Sequence, residues 1–268
     1  VTKVKSRMLR QRPELASALL THKALSLLVR RELDQKQTGS SGMSASVEMI
    51  GDVAVIRMDD GKANVINQAM VASLHAALDE AEAKAKAIVL AGREGRFSGG
   101  FDLQALTGSG PEAAIALLDA GAGLLVRLYG NPLPVVAACT GHSIAMGVFI
   151  LHACDTRIGA AGPYKIGANE TINGMVLPIF ALELSKDRLN PLHMTKAVVQ
   201  ACIYDSEGAV EAGYLDHLTS LDKVEAEAIA LAGQLAQLPG HAYHGNKLAI
   251  RGATLDRIRA SIGRHHGK

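Results

Sequence analysis

An α/β fold with a helical C-terminal region is what this 268-residue sequence predicts, and three observations carry the prediction. Short apolar runs that read as strands alternate with helix-length segments from Met43 to about Gly167. Two of those runs, Ala87-Ile88-Val89-Leu90 and Val135-Val136-Ala137-Ala138-Cys139, lead into turns marked by glycine. From Pro178 onward the pattern is mostly helical, clearest over 223–237 and 248–262.

Taken in order, residues 1–42 stand apart. Lys3, Lys5, Arg7, Arg10, Arg12, Lys23, Arg30 and Arg31 face a single acidic residue, Glu14, and the stretch ends in the polar linker Gln35-Lys36-Gln37-Thr38-Gly39-Ser40-Ser41-Gly42. It reads as a partner-binding helical arm, a targeting peptide, or upstream sequence ahead of a start at Met43; the last is preferred, because a compact domain can begin cleanly there. Ser46–Met49 and Val53–Met58 then read as a hairpin around Gly51-Asp52. Asn67 caps a helix whose apolar face is Met70, Leu74, Ala77, Leu78 and Ala81. After the strand at 87–90 come a loop, a helix over 111–129, the strand at 135–139, a second glycine loop over 141–147 and a helix through 148–153. Short strands follow at 155–159 and 164–167. The organisation expected is an extension over 1–42, a core over 43–190 and a helical region over 191–268.

Composition narrows the class of function. Hydrophobic residues make up 48% of the chain, ample for one sizeable core. With 28 basic and 26 acidic residues the net charge is +2, too weak a field to suggest nucleic acid or a membrane surface as partner. Cys139, Cys154 and Cys202 sit in apolar surroundings without metal-ligand spacing, so neither a disulfide framework nor a metal site is expected, and a reduced cytoplasmic protein is. The most apolar region, 133–153, is broken by Thr140, Gly141, His142, Ser143 and His152 and does not read as a bilayer span.

The chemistry is expected where glycine lets the backbone approach a ligand. Arg96-Phe97-Ser98-Gly99-Gly100-Phe101-Asp102-Leu103 and Gly141-His142-Ser143-Ile144-Ala145-Met146-Gly147 each come after a buried strand, so main-chain N–H groups from two loops can converge on one carbonyl oxygen. A third segment, Ile166-Gly167-Ala168-Asn169-Glu170-Thr171, sets a carboxylate just after a short strand.

Together these residues resemble the crotonase, or enoyl-CoA hydratase/isomerase, superfamily, from about Met43 to about Leu218 and most strongly across 85–185. The family's first loop typically reads Phe-Ser-Ala-Gly-Ala-Asp-Leu, matched by Phe97–Leu103 with glycine and phenylalanine in place of the alanines. Its second, Gly-x-Ala-x-Gly-Gly-Gly ahead of a helix and a Cys-Asp pair, corresponds to Gly141–Gly147 and Cys154-Asp155. The resemblance implies a spiral of ββα units assembled as a homotrimer or a pair of trimers. It implies an acyl-CoA thioester as substrate, coenzyme A being part of that substrate and no separate cofactor being needed.

By the same resemblance the N–H groups of Gly99 and Met146 hold the thioester oxygen and Glu170 moves a proton. Lys62, Ala63, Asn64, Gly100, Phe101, Asp102, Leu103, Gly147 and Phe149 are placed along the acyl-CoA, and Val176, Leu177, Ile179 and Phe180 join Phe149 at the acyl pocket. Asp102 has a second reading as the cap of the segment after it, and that reading is preferred. His142 is left out of the catalytic set, and His152 is read as a satisfied core histidine. Family hydratases use two glutamates, but here Phe149 stands at the first position and Glu170, after an inserted residue and preceded by Asn169, at the second. The reaction implied is double-bond isomerisation or hydration in fatty-acid metabolism, and one carboxylate slightly favours isomerisation, since moving a double bond needs one group that takes a proton and returns it. A hydrolase of thioester or carbon–carbon bonds on the same fold, and a non-catalytic acyl-CoA binder, are the alternatives. The segment after Leu238 is short for a helical end that would cover a neighbouring subunit's site.

Overall fold

The computed structural model describes residues 44–108 and 110–264, so the arm and linker expected over 1–42 lie outside the described residues. β1 (Ala45–Ile50) and β2 (Val53–Met58) form the antiparallel hairpin around Gly51-Asp52. After β3 (Val65–Ile66), the Asn67 side chain accepts from Met70 N at 2.9 Å and starts α1 (Gln68–Lys84). The chain then repeats one pattern: a buried strand, a short strand, a helix. β4 (Ala87–Ala91), β5 (Gly95–Ser98) and β6 (Gly100–Phe101) precede α2 (Leu103–Thr107) and α3 (Pro111–Tyr129). β7 (Val135–Cys139) and β8 (Gly141–Ile144) precede α4 (Met146–Ala153). β9 (Thr156–Ala160) and β10 (Ile166–Gly167) precede α5 (Ile179–Arg188). The helical region adds α6 (Ser206–Ala212), β11 (His217–Thr219), α7 (Leu221–Leu235) and α8 (Gly240–Ser261).

The long strands make a six-stranded sheet in the order β1-β2-β4-β7-β9-β11, parallel from β2 onward. Its two central strands, β4 and β7, are apolar at every position because both faces are covered. Ala54, Ile56, Ile88, Leu90, Val135 and Ala137 belong to the core packed on α1, while Val55, Val89, Val136 and Ala138 face Val224, Ala228 and Ala232 of α7. The short strands form a second parallel sheet, β10-β8-β5, and β3 pairs with β6 in a third. The glycine stretches at 95–98 and 141–144 are therefore strands where sequence suggested loops. Glycine and polar residues hide the two-residue period that signals a strand, and only pairing with neighbours makes them one.

The C-terminal end is held by buried charge. α8 begins at Gly240, earlier than its periodicity suggests, and packs on α3 and α5 of its own chain. Asp155, at the end of α4, accepts from Val135 N at 2.8 Å, Tyr243 Oη at 3.0 Å, Lys247 Nζ at 2.8 Å and Arg251 Nη1 at 2.6 Å. Lys247 also donates to the Asn131 and Leu133 carbonyls, and Arg251 to Tyr129 O while lying over the Tyr129 ring. Removing the carboxylate would strand two buried cations. Asp155→Ala is expected to cost about 3–5 kcal/mol, measured by urea unfolding, with hydrogen exchange rising first in α8.

Candidate active site

The register of the second sheet assembles the site. Arg96 pairs with His142, Ser98 with Ser143, and Ser143 and Ile144 with Ile166 and Gly167, so the turns leaving β5, β8 and β10 stand side by side at one end. They enclose a largely apolar cavity of about 510 Å³ whose wall includes Gly99, Phe101, Ala145, Phe149, Glu170 and Phe180. The exposed Leu103 stands at its margin.

The first turn corrects one expectation. Gly99 N donates to Ala63 O at 2.7 Å, so the N–H expected to reach a ligand is already spent. In the β3–β6 pair Asp102 N donates to Ile66 O at 3.1 Å; alternation along a strand then turns the Phe101 N–H away from β3. Phe101, not Gly99, is the residue of this turn whose donor is free of that ladder. Between them Gly100 has φ +91°, and a Cβ there would lie 2.8 Å from Ile144 O and 3.4 Å from Met146 N. Only glycine lets the two turns approach so closely.

In the second turn Ala145 has φ +52°, a strained value for a residue with a side chain, and the helix α4 starts directly after it without a side-chain cap. Met146 is the first residue of α4, so its N–H is one of the donors a helix leaves unpaired at its start, where the helix dipole favours negative charge. Gly147, expected along the substrate, is instead buried against Ser98 O and the Ser143 hydroxyl.

Glu170 opens the tight turn after β10; Asn173 N and Met175 N donate to its carbonyl at 3.0 and 2.9 Å. Its side chain lines the cavity at 7% exposure, and Oε2 has no hydrogen-bond partner. Burial pushes this carboxyl above its ordinary range, opposed in part by the amides of Glu170 and Asn169. A buried carboxylate with one oxygen unpartnered beside an apolar cavity is more basic than an exposed one. Across the cavity Phe149 is edge-on to Phe180, at 6.2 Å between ring centres, so no second carboxylate comes from α4.

Several other expected residues do not line the cavity. Asn64 is wholly buried at φ +52°; its amide donates to Met58 O and Phe97 O, and Oδ1 accepts from Asp60 N. Its side chain holds the loop behind Gly99 and is closed to any ligand. Ala63 acts there through its carbonyl, and Lys62 is solvent-exposed on that loop, away from the cavity wall. Asp102 caps α2, accepting from Gln104 N at 2.9 Å and Ala105 N at 3.3 Å. Of the expected pocket residues Val176 reaches the wall, whereas Leu177 is buried behind it and Ile179 is exposed beside it. His142 accepts from Lys165 N outside the cavity. His152 is in the core but unsatisfied: neither ring nitrogen has a partner, and the ring stacks on Tyr214 at 5.1 Å. Ala114 and Leu118, not among the expected site residues, form the wall contributed by α3. Their four-residue spacing on a helix was visible, but which core that face belonged to was not.

Strand–strand–helix repeats whose turns converge on an apolar cavity, with one buried carboxylate at its edge, define a crotonase-fold protein. A model of the enoyl-CoA hydratase/isomerase family matches residues 48–260, and the chain belongs to that family. It is 26% identical over 227 residues to human mitochondrial enoyl-CoA delta isomerase 1, covering 83% of this chain and 75% of that protein. A probable enoyl-CoA hydratase of Bacillus subtilis is 32% identical over 132 residues, 48% of this chain and 50% of that one. Among solved structures, an enoyl-CoA hydratase/isomerase family protein from Pseudomonas syringae superposes with a TM-score of 0.81 at 37% identity, covering 83% of this chain and 97% of that one. A protein of Mycobacterium tuberculosis, named an enoyl-CoA isomerase with one solved structure and a probable enoyl-CoA hydratase with another, gives 0.78 at 41% identity, covering 82% of this chain and 96% of that one.

The state of Glu170 can be read from stability alone. A carboxyl whose pKa is raised by folding incurs no charge-burial cost below the ordinary carboxylate range, and the cost grows as pH rises through the folded value. Glu170→Gln, neutral and similar in shape, should therefore raise Tm at pH 7, and the gap should close as pH falls to about 4. Calorimetry across that range checks it; an unchanged gap would mean that Glu170 is not a penalised charge.

Proposed function

We propose that the chain is an enoyl-CoA isomerase that moves a double bond from C3 to C2 of an acyl-CoA thioester, with Glu170 as its only proton carrier. The observation that supports this reading is the solitary carboxylate: Glu170 Oε2 is buried and partnerless at a cavity where Phe149 occupies the place of a second acid. Adding water across a double bond asks for an acid and a base on one face, whereas relocating the bond asks one group to remove a proton and put it back.

In this reading the Glu170 carboxylate takes a proton from C2 of a 3-enoyl thioester. The electron pair spreads onto the thioester oxygen and C4. The N–H of Met146, and that of Phe101 in place of Gly99, point at the oxygen as charge builds there, each contributing about 3 kcal/mol to the transition state. Glu170 then returns the proton to C4, leaving the 2-enoyl thioester. The apolar walls serve the step by keeping the carboxylate poorly solvated and hence more basic. Assembly as a homotrimer or a pair of trimers and a cytoplasmic location belong to the same proposal; among the described residues no helix is long and apolar enough to cross a membrane.

The test is incubation with paired 3-enoyl and 2-enoyl thioesters in deuterated water. The expected product of the 3-enoyl substrate is the 2-enoyl isomer carrying less than one deuterium at C4, and Glu170→Gln should slow its formation by about 10²–10⁴-fold. A 3-hydroxyacyl product would replace this reading by hydration, and release of free CoA by hydrolysis. Saturable binding without any product would make the chain a binder.

A further inference from the structure

The chain has four phenylalanines, and three of them, Phe101, Phe149 and Phe180, meet at the cavity. Phe180 is edge-on to both others, with its ring centre 6.5 Å from Phe101 at 71° and 6.2 Å from Phe149 at 75°. Phe101 replaces an alanine of the family pattern, so its ring must find room that the pattern does not reserve. The room is on α3. A Cβ built on Gly121 would lie 2.5 Å from Phe101 Cζ and 2.8 Å from Cε1, far inside contact distance, and 3.2 Å from Met146 Cε.

Gly121 has no positive φ and sits in the interior of a regular helix, where alanine is the better residue by about 1 kcal/mol. What calls for glycine there is the Phe101 ring. Ala114 and Leu118 of α3 line the cavity, and the next position on the same helical face is Gly121, which the ring tip covers. The open wall along α3 therefore ends where Phe101 begins.

We infer that the Phe101 ring, seated in the notch left by Gly121, is the chain-length stop of the acyl pocket, so that the pair Phe101–Gly121 sets which acyl groups the site admits. The inference rests on the proposed acyl-CoA reading but concerns only the Phe101 side chain and its seat. Unreactive S-alkyl-CoA thioethers of about four to sixteen carbons test it by calorimetry, since they bind without turnover.

In the wild type, affinity should rise about fourfold per buried methylene and then level off at a definite length. Phe101→Ala should move that plateau at least about two carbons longer, with Phe101→Leu giving a smaller shift in a side chain that still fills the core. Gly121→Ala should shorten the plateau and lower Tm, because the new methyl drives the ring into the cavity. In the Phe101→Ala background the same Gly121→Ala should raise Tm and leave the long plateau in place, the sign reversal marking a direct steric pair. A length series unmoved by every variant, or a Tm raised by Gly121→Ala in the wild type, would overturn the stop. If the series shifts as expected while no thioester is turned over, the stop stands and the isomerase reading falls; if isomerisation proceeds with an unmoved series, the reverse holds.

Discussion

The parallel pairing of β5, β8 and β10 governs where the groups of the candidate site stand. Parallel strands advance together, so the segments leaving them emerge at the same end of the sheet. Those segments are a turn with a donor at Phe101, a helix start at Met146 and a turn with a carboxylate at Glu170. The six-stranded sheet behind them supplies rigidity, buried on both faces, and the tight fit of Gly100 against Ile144 and Met146 leaves the turns no freedom to drift apart. Groups far apart in the chain become one site because main-chain hydrogen bonds, not side-chain recognition, set their register.

Two buried carboxylates show the two uses a fold can make of a costly charge. Asp155 is met by two cations, a phenol and a main-chain amide, and ties α8 to the end of α4. Glu170, 7% exposed, has an oxygen with no partner at all. Evenly satisfied charge binds elements together; unsatisfied charge stores free energy that a proton can release. A penalised carboxylate survives only in a frame with stability to spare.

The departures from the family pattern fall into one physical theme. Phenylalanine stands where alanine would lie at 101 and where glutamate would lie at 149, and both rings rest against Phe180. Each change removes polarity or open space from the cavity and leaves the main-chain donors as they were, since an N–H persists whatever side chain its residue carries. A donor carried by the backbone thus leaves the side chain of the same residue free to shape the cavity.

The architecture and the neighbourhood of the site were legible in the amino-acid sequence. Continuous apolar runs at 87–91 and 135–139 specify strands buried on both faces, Asn67 specifies a helix start, and the turns at 98–101 and 145–147 with Glu170 mark the candidate site. Those signals are local, a matter of period, cap and turn. Which N–H groups remain free was settled by the folded chain: Gly99 loses its donor to Ala63, a residue from a separate loop, while the pairing of β3 with β6 turns that of Phe101 away. Folding likewise closes Asn64 to ligand, binds α8 through Asp155 and makes Gly121 the seat of a ring. Hydrogen bonds and close contacts between distant segments depend on positions in space, and a local pattern does not encode them until the sheet has set its register.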